Sequence, residues 1–187
     1  MIRTSRFASS AAAVLLLGLL AVPAGAATSG GMSDAFKGFG SNGKEPIQIE
    51  ADSLEVLDKD RNAVFTGNVH VLQKDTVLKT QRLRVFYAGN GAADLAQAGG
   101  SQSIRRFEAE GKVLISQKDQ TVTGEKGWFD MTTQTAQITG NVVLTQGKNV
   151  ARGDRLSIDL KSGQYKLDGA GRVQLILESQ QKPAAGN

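Results

Sequence analysis

The chain has 187 residues, a formal net charge of +4, no cysteine and a single histidine. That composition excludes a disulfide framework, a thiolate-held zinc or iron–sulfur centre and a cysteine nucleophile. With 21% charged residues of both signs and 40% hydrophobic residues, it describes a folded domain, or two small ones, rather than a polyelectrolyte.

The first segment reads as an export signal. Arg3 and Arg6 precede an apolar run over residues 11–22, broken only by Gly18, and Pro23 leads into Ala24-Gly25-Ala26, the small-x-small pattern of a cleavage site. The run reaches the ~20 residues of a membrane span only if Ser9, Ser10 and Pro23 are admitted. Cleavage near Ala26 removes residues 1–26 with two arginines and no acid, so a charge of +4 becomes +2. The electrostatic case for a nucleic-acid partner goes with them. The expected compartment is the periplasm or the exterior, and a cysteine-free chain is indifferent to its oxidising conditions.

Residues 27–45 are Gly/Ser-rich without a strand or helix period and read as a flexible leader. Gly38, Gly40 and Gly43 match G-x-G-x-x-G, and residues 38–44 match a phosphate loop as far as Lys44. Such loops require a strand before and a helix after. Here a leader precedes and the strand pattern of residues 46–49 follows, so nucleotide binding is not supported. Phe36 and Phe39 in the leader carry no assigned role.

The folded body is read over residues 46–178. Strand-like segments recur: residues 53–56 (SLEV), 82–85 (RLRV), 127–130 (GWFD) and 155–158 (RLSI) correspond, with Leu54, Leu83, Gly127 and Leu156 as equivalents spaced 29, 44 and 29 apart. The long interval holds a Gly/Ala-rich insertion at residues 88–103. A second set alternates with the first: residues 65–71 (FTGNVHV), 109–115 (AEGKVLI), 138–144 (ITGNVVL) and a worn copy at 167–175. Turns carrying Gln73, Gln117 and Gln146 follow the first three. The chain is therefore about four two-strand repeats of ~29 residues, supersecondary units that stack to bury a shared core.

Apolar residues alternate within these strands. One face carries Val69 and Val71; Val113 and Ile115; Val142 and Leu144; Val173, Leu175 and Leu177. In the other set it carries Leu54 and Val56; Leu83, Val85 and Tyr87; Phe129 and Met131; Leu156, Ile158 and Leu160. Period two with β-branched residues predicts half-buried antiparallel strands and an all-β fold. Gly67, Gly111 and Gly140 recur at one mid-strand position, where a bend, bulge or close approach is expected. Residues 179–187 read as a frayed polar tail.

The opening over residues 46–54 (PIQIEADSL) and the repeated T-G-N-V at residues 66–69 and 139–142 resemble the LptA/OstA-like family of lipopolysaccharide-transport proteins of Gram-negative bacteria; the resemblance covers residues 46–177. It implies an open, twisted antiparallel β-jelly-roll with an apolar interior that carries lipopolysaccharide acyl chains from the inner to the outer membrane. It also implies end-to-end stacking with itself and with the homologous domains of an LptC-like inner-membrane protein and an LptD-like outer-membrane protein. Within the family, the short chain argues against an LptD, and the cleavage site against an LptC-like anchored component. A structural β-repeat protein, or a polysaccharide-active enzyme on a β scaffold, remains the alternative from another class.

On this reading Ile47, Ile49, Val69, Leu83, Val85, Ile115, Phe129, Met131, Leu144 and Ile158 face the lipid. Lys44, Arg82, Arg84, Arg105 and Arg106 are the candidates for head-group phosphates. Ile47 and Ile49 in the first strand, and Val173, Leu175 and Leu177 in the last, are the candidate assembly edges, since neither strand has an interior proline to block strand addition. No catalytic residue, metal ligand or cofactor is assigned: His70 falls on a polar face, and the acids fall at strand edges, outer faces and turns.

Overall fold

In a computed structural model the described residues are 46–89 and 104–178. They form ten strands: β1 Gln48–Glu50, β2 Ser53–Leu57, β3 Asn62–Gln73, β4 Thr76–Tyr87, β5 Ile104–Gln117, β6 Gln120–Asp130, β7 Thr135–Gln146, β8 Asn149–Asp159, β9 Gln164–Asp168 and β10 Gln174–Ile176. A single 3-10 turn, Asp58–Asp60, joins β2 to β3. The export signal, the leader with Lys44, most of the insertion and the tail lie outside the described residues.

Every pairing is antiparallel. β3 to β8 run up and down as a meander of six long strands. Each end of this sheet is finished by two short strands that share one partner. β1 pairs with residues 70–72 of β3 and β2 with residues 62–66 of the same strand. At the far end β10 pairs with residues 150–152 of β8 and β9 with residues 155–159. The sheet does not close, so both ends keep an unpaired strand side.

A crease crosses the middle of all six long strands. At Gly67-Asn68, Gly111-Lys112 and Gly140-Asn141 both residues of each pair have positive φ, between 46° and 84°. The register shifts at those points on both sides. β3, β5 and β7 thus carry two extra residues at the crease, and β4, β6 and β8 carry one: Gln81, Glu125 and Asp154. Bulges of this kind bend a strand and increase its twist. Glycine is required where it stands: besides the left-handed φ, a Cβ on Gly140 would lie 2.7 Å from the Cβ of Glu125.

The single-residue bulges have a repeated partner. Asp52, between β1 and β2, accepts from Asn68 Nδ2 at 2.9 Å, while its own amide donates to the Gly67 carbonyl. Glu125 accepts from Asn141 Nδ2 at 2.8 Å. Asp154 accepts from the Ala170 amide. In each case the acid lies 16 residues before its partner. The fourth equivalent, Gln81, lies against Gly111. The repeat read from the sequence is thus also a repeat of crease chemistry.

The crease explains how one sheet buries its own face. Nineteen buried apolar residues form one cluster, drawn from both sides of the crease. With no second sheet or α-helix among the described residues to cover them, the half carrying the hairpin tips folds over onto the half carrying the outer loops. Val69, Leu83, Val113, Ile138, Val142 and Leu156 are at most 1% exposed. Burial of this kind stabilises by about 25 cal/mol per Å² of apolar surface.

The terminal strands differ from the sequence reading. Leu54 and Val56, expected on the apolar face, are 55% and 40% exposed, and Val173, Leu175 and Leu177 are 46%, 60% and 67% exposed. Their alternation is that of the buried strands, but among the described residues each terminal strand has a neighbour on one side only.

Candidate functional site

The apolar interior is the site that the fold constructs. Its inward face in the hairpin-tip half carries Val69, Val71, Leu78, Val113, Ile115, Val122, Val142, Leu144 and Ala151. The facing half contributes Leu83, Val85, Phe107, Ala109, Phe129, Ala136, Ile138, Leu156 and Ile158. The two halves meet around a cavity of about 30 Å³ lined by Val71, Leu78 and Ile115 from one side and by Leu83, Phe107 and Phe129 from the other. Half-buried Ile47, Ile49 and Phe65 extend the interior toward one end of the sheet, and Met131, Leu160 and Leu167 toward the other.

All ten residues read as lipid-facing stand on this inward side. Val69, Leu83, Val85, Ile115, Phe129, Leu144 and Ile158 belong to the buried cluster, and Ile47, Ile49 and Met131 pack against it. Sequence reasoning missed Leu78, Val122 and Ala151. The single-residue bulge at Gln81, Glu125 or Asp154 reverses the alternation partway along each of these strands. Leu78 is therefore out of phase with Leu83, Val122 with Phe129 and Ala151 with Leu156, yet all six face inward. Phe107 and Ile138 were also left unassigned, although a two-residue bulge preserves phase and they alternate correctly with Val113 and Val142.

The cationic candidates are placed differently. Arg82 and Arg84 alternate with Leu83 and Val85 and so stand on the outer face. Arg106 also faces outward. Its Nε lies 2.9 Å from Glu108 and its guanidinium 4.5 Å from the centre of the Trp128 ring, so its charge is engaged there. Arg105 is exposed where β5 begins, at the open rim of its half. His70 is exposed on the outer face beside buried Val69 and Val71.

Three ionisable groups at the rim are perturbed for structural reasons. The Asp130 carboxyl is held below its usual value chiefly by the Thr133 amide, helped by that of Thr132, both 2.9 Å away. Asp159, its repeat equivalent, is lowered in the same way, first by the amide of Ser162 and then by that of Lys161. Burial pushes the Tyr87 phenol up, reinforced by its 2.9 Å hydrogen bond to Asp58. These carboxylates cap turns and the phenol is tied down. Among the described residues no three His, Cys, Asp or Glu side chains are grouped to hold a metal.

Residues 48–164 match the family described as LptA/(LptD N-terminal domain) LPS transport protein. The chain belongs to this family. It is also similar to an uncharacterized protein of Rhizobium meliloti (strain 1021), 40% identical over 176 residues, which cover 93% of this chain and 92% of that one. Its fold is similar to the crystal structure of LptH, the LptA-homologous periplasmic component of the lipopolysaccharide transport device of Pseudomonas aeruginosa. The TM-score is 0.59 at 19% identity, covering 74% of this chain and 99% of LptH. Membership makes this a lipopolysaccharide-transport protein at the level of the family, built on the open β-jelly-roll read from its sequence.

Proposed function

We propose that the protein is a periplasmic carrier, without chemistry of its own, that holds the acyl chains of lipopolysaccharide between the two halves of its sheet. The observation that carries this reading is the interior: a predominantly apolar face, inward on every long strand, on a sheet that does not close. Transfer of acyl chains into it is favourable by ~0.8 kcal/mol per buried CH₂. The interior is nearly filled when the halves are packed together, so loading requires them to part along the glycine crease. Arg105, exposed where β5 begins, is a cation at a rim that head-group phosphates can meet.

The same reading makes the protein a bridge. The free sides of β1 and β10 are open to strand addition by a further copy, or by LptC-like and LptD-like domains at the inner and outer membranes. The contact would be heterologous and non-closing, which extends as a filament and keeps successive interiors in line.

A photo-crosslinking side chain at Val85 or Phe129 should capture lipopolysaccharide, and one at His70 or Asp130 should not. Equal capture from both faces would overturn the carrier reading. For the bridge, light scattering should show concentration-dependent oligomers that vanish when residues 172–178 are deleted from a chain whose circular dichroism is unchanged.

A further inference from the structure

One lip of the interior is polar and uncharged in a way the carrier reading does not use. At the hairpin-tip end of the six long strands, the last inward position of each forms a continuous cross-strand row: Gln73, Thr76, Gln117, Gln120, Gln146 and Asn149. The register makes every neighbour in this row a direct partner. With strands about 4.8 Å apart, five steps span about 24 Å. Gln73, Thr76 and Gln120 are 1%, 0% and 6% exposed and Gln117, Gln146 and Asn149 are half-buried, so the row lines the interior's lip, set apart from the exposed turn residues beyond it.

The next inward row, two residues deeper, is wholly apolar: Val71, Leu78, Ile115, Val122, Leu144 and Ala151, again register partners in sequence. Polarity therefore changes within about 7 Å along every strand. The row is not merely a self-satisfied ladder. The Thr76 hydroxyl and the Gln117 side-chain carbonyl are buried without a hydrogen-bond partner. Such groups are costly unless something meets them.

We infer that this row is a second element of the lipid site, which binds the ester, amide and hydroxyl groups joining acyl chains to a lipid head. The chemistry fits that junction. Carboxamides and hydroxyls both donate and accept, as amide and hydroxyl linkers do, and they also donate to ester carbonyls. An uncharged row offers no ion pair, so phosphates are left to the cations outside. Repetition of near-identical groups along the stacking direction gives an amphiphile equivalent positions at successive strands. The inference rests on the carrier reading.

The test uses the full mature chain, with lipid A and diphenylhexatriene, a pure hydrocarbon fluorophore, as separate probes. Thr76→Val and Gln117→Met keep side-chain volume and remove the two unpartnered groups. Each should weaken lipid A binding roughly three- to tenfold, the range of one neutral hydrogen bond. Binding of the hydrocarbon should not change, and the thermal midpoint should hold or rise, because a buried orphan has been removed. Thr76→Ser, which keeps the hydroxyl, should bind lipid A as the parent does. If the parent binds lipid A and both variants bind it equally well, the polar lip is overturned and the carrier stands. If the variants melt earlier and lose both probes together, the row is a structural ladder and the inference fails. If the parent binds no lipid A, carrier and lip fall together.

Discussion

Leu156 and Leu54 occupy the same place in the repeat, two residues after the crease acid, yet one is 1% and the other 55% exposed. Val142 and Val173 make the same pair later in the unit, at 0% and 46%. The difference is one of position in the sheet. Leu156 lies on β8, between β7 and β9, under the opposite half; Leu54 lies on β2, which among the described residues has β3 as its one neighbouring strand. An apolar face is a core only where strands flank it. At the two ends the same face is a surface for the next strand to cover.

The sharpest way to break that equivalence is truncation. Leu156→Ala should cost about 2–5 kcal/mol in urea-unfolding free energy, as expected for a fully buried leucine. Leu54→Ala should stay within about 0.5 kcal/mol at dilutions where the chain is monomeric. Comparable losses at the two sites would mean that β2 is as well covered as β8.

A smaller contrast separates crowding from backbone strain. Gly140 and Gly147 both have positive φ, 84° and 56°, but a Cβ at Gly140 collides with Glu125, while nothing lies within 4 Å of one at Gly147. Alanine at either position should cost about 1–2 kcal/mol for the left-handed backbone. Gly140→Ala should cost more than Gly147→Ala, because the crease acid must move. Equal unfolding midpoints would show that the crease yields freely.

The smallest effect is a pH dependence. Asp130 has its pKa lowered by folding, so its contribution is present above the unfolded value of about 3.9 and is lost as pH falls through the folded value. Tyr87 has its pKa raised, so its contribution is present below about 10 and is lost as pH rises further. The stability gap between parent and Asp130→Asn should therefore be widest near neutrality and close in acid. The gap to Tyr87→Phe should narrow only in alkali. A gap independent of pH in either case would remove that side chain from the linkage.

Much of the molecule follows from the chain alone. Period-two alternation, the 29-residue repeat and the recurring mid-strand glycines determined an all-β stack of bent strands. In β3, β5 and β7 they also determined which side chains turn inward, since Gly67-Asn68, Gly111-Lys112 and Gly140-Asn141 each insert two residues and leave the phase intact. The tertiary structure alone decided the rest. A single extra residue at Gln81, Glu125 or Asp154 reverses the alternation, and it carries no local mark, because a bulge is defined by the partner strand that fails to match it. Burial of Leu156 and exposure of Leu54 are equally non-local, since removal of an apolar side chain from water depends on which strands end up beside it and which half of the sheet folds over it.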